Sequence, residues 1–417
     1  MLLPKVIRTQ YRDSILYYLE LLKKIKFKLS SSRYKLAVSI DNLNVEYTLL
    51  SSIIDRKSSL NSQTLINNDG SISYLEELEG PTLDINLYYF KKISILGGTD
   101  ALLNNDTLYH EELLSMDEHH DLKRHDLFLA FDKKRKEKVY LNPVSIKSLE
   151  DRDKLYISLL KEHSVNYYHW MTEIMPRAIF CNIKLQEEKV VSINDKKIVF
   201  LVDESLPSQC LEVLENLISF DFSIEVVLKN ELIQCRDLIY CSSFWQSLDN
   251  TSGTLNVSEF FVDKYALNLL HTKINEKFIY KKEPYRKIYL KRSKSQIRSI
   301  VNNEYVESEM KKVGYELVDT SSLSFLEQVK LFSEAKVIVG ASGATFTNIL
   351  FMQPGTTAIN FYPSHPSINH GIFQPLADIS GVKLLHYKTH PIDDKSIHSN
   401  FFVDLNIIKN ILKDIDK

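Results

Sequence analysis

From residue 287 onward the chain alternates strand-sized apolar runs with helical segments, and this alternation constrains its fold more than any other feature. Residues 287–290 read as a strand, 302–313 as a helix and 315–318 as a strand. A helix over 326–335, a strand over 336–339 and a helix over 344–351 follow. Strands at 357–361 and 383–387 come next, and a helix over 402–415 closes the chain. Successive parallel strands need right-handed crossovers, so this order predicts a parallel sheet covered by helices on both faces. Such a sheet binds ligands beyond the carboxyl ends of its strands.

A looser version of the pattern precedes it. Residues 167–181 read as a helix, although Pro176 within them should kink or end it. A strand at 197–202, a helix at 208–220, strands at 224–228 and 236–241 and a long helix at 257–275 come next. The charged, proline-containing stretch 277–286 then reads as a domain boundary. Residues 36–145 show short alternating runs at 34–40, 83–95 and 138–141, with an Asn-Asp-Gly turn signal at 68–70. The expectation is two α/β domains facing across a cleft, 36–280 and 281–400, with a C-terminal helix over 401–417.

Composition removes several classes. Lys and Arg (52) balance Asp and Glu (54) over 417 residues, which argues against a nucleic-acid footprint across the chain. No apolar run approaches the roughly 18 residues a membrane-spanning helix needs. Four cysteines (Cys181, Cys210, Cys235, Cys241) lack metal-ligand spacing and read as reduced and buried. Residues 1–35 differ from the rest, with nine basic side chains against Asp13 and Glu20. Ile15, Leu19, Leu22, Ile25 and Leu29 recur there at helical spacing. A basic amphipathic helix of this kind suits contact with an anionic membrane surface, at about 1 kcal/mol per cation. His119, His120 and His125 sit among acids and read as a solvated loop, and Asp151, Asp153, Asp414 and Asp416, despite their Asp-x-Asp spacing, read as surface charge.

Three segments carry chemistry. The run 336–348 takes an apolar strand into Gly340 and Gly343 and then into a helix. Glycines at such a junction permit positive φ and close ligand approach, and the first amides of the helix favour a phosphate or diphosphate. It is neither the dinucleotide fingerprint nor a P-loop. After the strand at 287–290, Lys291, Arg292, Lys294 and Arg298 form a cationic loop, and Asn303 and Glu304 open the next helix. An arginine fork clamps phosphate oxygens. In the other half, His169 and Glu173 share a helix face four residues apart, with Asn166 one turn before. Either can act as a general base toward a hydroxyl.

Together, in this order, the segments resemble glycosyltransferase family 61. The resemblance rests on Asn166, His169, Trp170, Glu173, Pro176 and Arg177; on Tyr289, Arg292, Arg298, Asn303 and Glu304; and on Gly340, Ser342, Gly343, Ala344, Thr347 and Asn348, with Pro354 and Gly355. It covers roughly residues 150–365. At two positions the chain departs from the family's common pattern, with Ser342 in place of a histidine and Lys291 in place of a serine.

The resemblance implies a GT-B fold and inversion at the anomeric carbon. The implied donor is a nucleotide sugar, taken as UDP-linked, held by Arg292, Arg298, Asn303, Glu304 and residues 340–348. The implied acceptor is an oligosaccharide or lipid-linked saccharide of bacterial capsule or lipopolysaccharide synthesis, met by Asn166, Trp170 and Arg177. Glu173 is the preferred base, with His169 orienting it. No metal or other cofactor is expected, and the enzyme is expected in the cytoplasm, at the inner face of the plasma membrane. Two other classes stand beside this one: a non-catalytic nucleotide- or carbohydrate-binding protein, and another Rossmann-type enzyme such as an oxidoreductase, methyltransferase or phosphotransferase.

Overall fold

The computed structural model describes residues 32–415 apart from 38, 55–56, 83, 112–137, 142, 188–194, 245–262, 279–282, 293–296, 366–367, 369–371 and 394–397. The basic helix expected over residues 15–29 and the three histidines at 119, 120 and 125 lie outside the described residues. Among those described, the chain forms two large sheets and eight α-helices.

The alternating second half builds the eight-stranded sheet. Its strands Glu316–Val318, Arg286–Leu290, Ala335–Ala341, Thr357–Pro363 and Lys383–Pro391 lie side by side, all parallel. That sheet is completed from far away in sequence. Gln63–Ile66 pairs parallel with Lys383–Pro391, and Ile72–Leu75 folds back on it as a hairpin. The Asn-Asp-Gly turn closes this hairpin: Gly70 takes φ +83°, a left-handed conformation that glycine adopts without strain, and donates to the Asn67 carbonyl at 2.9 Å.

The eleven-stranded sheet is mixed. Its long strands Ile85–Leu96 and Glu231–Cys241 run antiparallel. Beside the second of them, Lys154–Ser158, Lys197–Asp203 and Phe222–Val227 add a parallel set. One core cluster joins the two sheets. Ile157, Trp170 and Phe180 from the first half share it with Phe325, Ile338, Phe346 and Phe351 from the second. All four cysteines are free and buried. No described helix is long and apolar enough to cross a membrane.

Three local expectations change. Pro176 does not end its helix, which continues to Glu187. A π-type turn over Trp170–Ile174 re-registers the ladder just before the residue that has no N–H to give. Residues Ala344–Phe351 form a 3-10 helix. The last helix begins at Leu405, because Phe401–Phe402 pairs instead with His390 and Pro391. The helix Gln374–Ser380 was not anticipated.

Gly340 is required for packing, not for its own conformation. It is absent from the positive-φ residues, yet a Cβ placed on it would lie 3.0 Å from both the Cβ and the carbonyl oxygen of Leu290 on the neighbouring strand. Gly340→Ala should therefore destabilise the protein by about 1–3 kcal/mol, the usual cost of overpacking. Denaturant unfolding checks this, and an unchanged midpoint would show that the strands separate freely there.

Candidate active site

A cavity of about 400 Å³ opens where the carboxyl ends of strands from both sheets meet. Leu290, Arg292, Ala341 and Gly343 follow or end strands of the second sheet. Val165 and Tyr167 follow the strand Lys154–Ser158, and Pro207 and Gln209 follow Lys197–Asp203. The two faces are tied beneath the cavity by the Asn348 amide. It accepts from the Tyr167 hydroxyl at 2.8 Å and donates to Gln328 at 2.7 Å, and Asn348 itself is wholly buried.

Cations gather on the second-sheet face. Arg292 donates to the Ser342 carbonyl. Burial, and then repulsion from Arg298, lower the Arg292 guanidinium to about 10. Burial likewise lowers Arg298, while the Tyr362 phenol beside it acts the other way. Two partly buried guanidiniums that repel each other make this face favourable to an anion. Gly343 is extended, at φ −177°, so the turn does not use the positive φ that the glycines would have allowed. The following 3-10 helix makes its first i→i−3 bond from the Phe346 N–H to the Gly343 carbonyl. The amides of Ala344 and Thr345 therefore precede that ladder at the cavity wall.

On the opposite face Tyr167 opens the helix that carries the histidine and the carboxylate, neither of which is among the residues lining the cavity. Asn166 caps the helix, its side chain accepting from the Tyr168 N–H at 2.9 Å. One turn on, His169 Nδ1 lies 2.5 Å from Glu173 Oε1. The two are placed differently: the His169 side chain is 22% exposed and that of Glu173 only 4%. The second Glu173 oxygen lies 3.9 Å from Lys161 Nζ.

Lys161 leads into a buried ionic network that the sequence did not reveal. Its Nζ is 3.5 Å from Asp100 Oδ2, and Arg177 Nη1 lies 3.8 Å from the same oxygen. Asp100 Oδ1 and Glu162 Oε1 are 3.3 and 3.2 Å from His110 Nε2. The Glu111 carboxyl is pushed up to about 7 by burial and by the Asp100 charge, even though it accepts from the Ser243 N–H at 2.8 Å. Asp203 is raised to about 6 by burial while accepting from Ser164, Lys161 and Gly98. Asp100, His110 and Glu162 have the spacing of metal ligands, with ligand atoms within 4.8 Å of one another. Lys161 and Arg177 already set positive charge against Asp100. The only sequence signal was Lys161-Glu162 placed directly after the apolar run 155–160.

The expected residues therefore separate. Arg292, Gly343 and Ala344 line the cavity, and the His169–Glu173 pair forms as expected. Trp170 and Arg177, expected to meet an acceptor, are both fully buried: Trp170 packs in the shared core and Arg177 faces Asp100 and the Tyr240 ring. Thr347 and Asn348 are buried beneath the turn. Asn303 is held between the Tyr289 hydroxyl and Glu307, while Glu304 is exposed in the first turn of its helix. Residues 167–359 match the family model Glycosyltransferase 61. No curated protein matches the chain.

Glu111 generates a pH test. Its folded-state carboxyl at about 7 stands above its ordinary value of 4.5. The stability it allows is therefore complete below about 4.5 and is lost as pH rises through 7. Glu111→Gln, which stays neutral, should gain stability relative to the unsubstituted protein as pH rises from 4.5 to 7.5. Denaturant midpoints at several pH values check this, and a constant difference would show that Glu111 titrates normally.

Proposed function

Residues 167–359 form a glycosyltransferase family 61 domain, and from that premise we propose that the chain moves a sugar from a nucleotide-sugar donor to a saccharide hydroxyl with inversion at the anomeric carbon. The observation that carries the proposal is one cavity lined by Arg292 and the Gly343–Thr345 turn on one side and on the other by Tyr167, two residues before the carboxylate-held His169. The two sheets, whose carboxyl ends both line this cavity, correspond in the proposal to the two halves of a GT-B enzyme.

His169 is the base in this reading, and Glu173 positions it, the reverse of the preference drawn from sequence. A buried carboxylate accepts the Nδ1 proton and so leaves Nε2 as the basic atom of the more exposed side chain. Lys161 compensates the second carboxylate oxygen. In the reaction, the acceptor hydroxyl gives its proton to His169 Nε2 while its oxygen bonds to the anomeric carbon. The bond from that carbon to the diphosphate oxygen breaks on the opposite face. Arg292 and Arg298, with the amides of Ala344 and Thr345, stabilise the charge on the departing nucleoside diphosphate. These cations supply the electrostatics that a bound metal provides in other transferases, so no metal is required in this scheme.

Two outcomes test it. His169→Ala should lower transfer by about 10²–10⁴-fold, the usual worth of a general base, with nucleotide affinity retained. Glu173→Gln should shift the acidic limb of the pH–rate profile, a readout that lost packing would not move. Near-normal turnover by His169→Ala would remove the assignment. For the donor, calorimetry against UDP, GDP, CMP, ADP, NAD and S-adenosylmethionine should find one nucleoside diphosphate or monophosphate that binds, weakened at least about tenfold by Arg292→Ala. Binding of NAD or S-adenosylmethionine alone would overturn the glycosyl-transfer reading.

A further inference from the structure

A second cavity, of about 430 Å³, lies at the other end of the eleven-stranded sheet. Arg152 precedes the strand Lys154–Ser158 and Lys196 precedes Lys197–Asp203, so the cavity sits at the amino ends of the parallel strands. The candidate active site lies at their carboxyl ends, about 15–20 Å away along a five-residue strand.

The lining is strongly basic. Lys91, Lys92, Arg152, Lys196 and Arg236 face two acids, Glu46 and Asp237. Lys91 pairs with Glu46 at 3.0 Å. Asp237 is buried and acts as an internal clamp: it accepts from the Tyr89 hydroxyl, holds Lys196 Nζ at 2.7 Å and lies 3.6 Å from Arg236 Nε. Lys92 and Arg152 have no ion-pair partner among the described residues, and because Lys196 and Arg236 share Asp237, the five cations of the lining exceed its two acids by three. Lys92 is also held at φ +54° inside the strand Ile85–Leu96. It falls at the step that the ladder omits, between the pairs Ile93–Cys235 and Lys91–Asp237. Strain of this kind persists only where surrounding structure enforces it, and a break in the ladder re-aims the side chain that it carries.

We propose that this cavity binds a phosphate group, carried either by a soluble phosphorylated ligand or by a phospholipid headgroup. The excess of positive charge in the lining is enough to receive the roughly two negative charges of a phosphate monoester. Arg152 and Arg236 offer planar forks to its oxygens, and the Tyr47 and Tyr89 side chains complete a polar wall. The inference is independent of the chemistry assigned to the other cavity.

The test titrates the full chain with inorganic phosphate, and separately with phosphatidylglycerol–phosphatidylcholine and pure phosphatidylcholine vesicles. It compares the unsubstituted protein with Arg152→Glu and Lys92→Gly. Glycine adopts the left-handed conformation freely, so Lys92→Gly should keep or raise the thermal midpoint while removing the charge. Both variants should weaken binding at least fivefold, and binding should fall with added salt. Weakened binding of inorganic phosphate assigns a soluble ligand. Weakened binding confined to phosphatidylglycerol vesicles assigns a headgroup. If the unsubstituted protein binds neither probe, or if both variants bind like it, the proposal is overturned.

Discussion

The buried Glu173 carboxylate is the interaction on which the rest of the site depends. A charge taken out of water costs several kcal/mol unless it is compensated in place. Here compensation comes from two directions: His169 on the same helix and Lys161 from the end of a sheet strand. Lys161 in turn shares Asp100 with Arg177, which stands one turn beyond Glu173. The helix is thus fixed against the sheet by charge as well as by Trp170 and its apolar neighbours. Of the His169–Glu173 pair, the histidine ring is the more exposed member.

The other face of the cavity works by the opposite arrangement. Arg292 and Arg298 are partly buried and repel each other, and both guanidiniums are held below their ordinary range. One side sets acids against Lys161, Arg177 and His169, and the other brings two guanidiniums together. Asn348 connects the two faces through Tyr167 and Gln328, so the cation-bearing turn and the histidine helix are tied through a buried amide. The match to the glycosyltransferase family 61 model over residues 167–359 spans both the histidine helix and the cation-bearing turn.

Much of this was legible beforehand because it is local. The strands at 286–290, 335–341 and 357–363 carry their own apolar runs, and the pair His169–Glu173 needs only helical spacing to meet. The glycine turn was located correctly, but the positive φ that the sequence allowed there is not used. Gly340 serves the close approach of Leu290, a contact between strands separated by 50 residues, and not a positive φ of its own. Trp170 and Arg177 were expected to meet an acceptor because the family resemblance implied it. They are core residues because the helix face that bears them is covered from both sheets.

The sequence by itself determined the period-two and helical segments, their alternation, and hence a parallel sheet whose carboxyl edge would carry the site. Those properties follow from steric and hydrophobic preferences that act over a few residues. Only the tertiary structure decided that the hairpin at 63–75 joins the second sheet. It alone brought Asp100, His110, Lys161 and Glu162 together, and placed Lys92 opposite Arg236. Each of these is a meeting of residues distant in the chain. Burial and charge balance, which select such meetings, are properties of the assembled interior and leave no local signature.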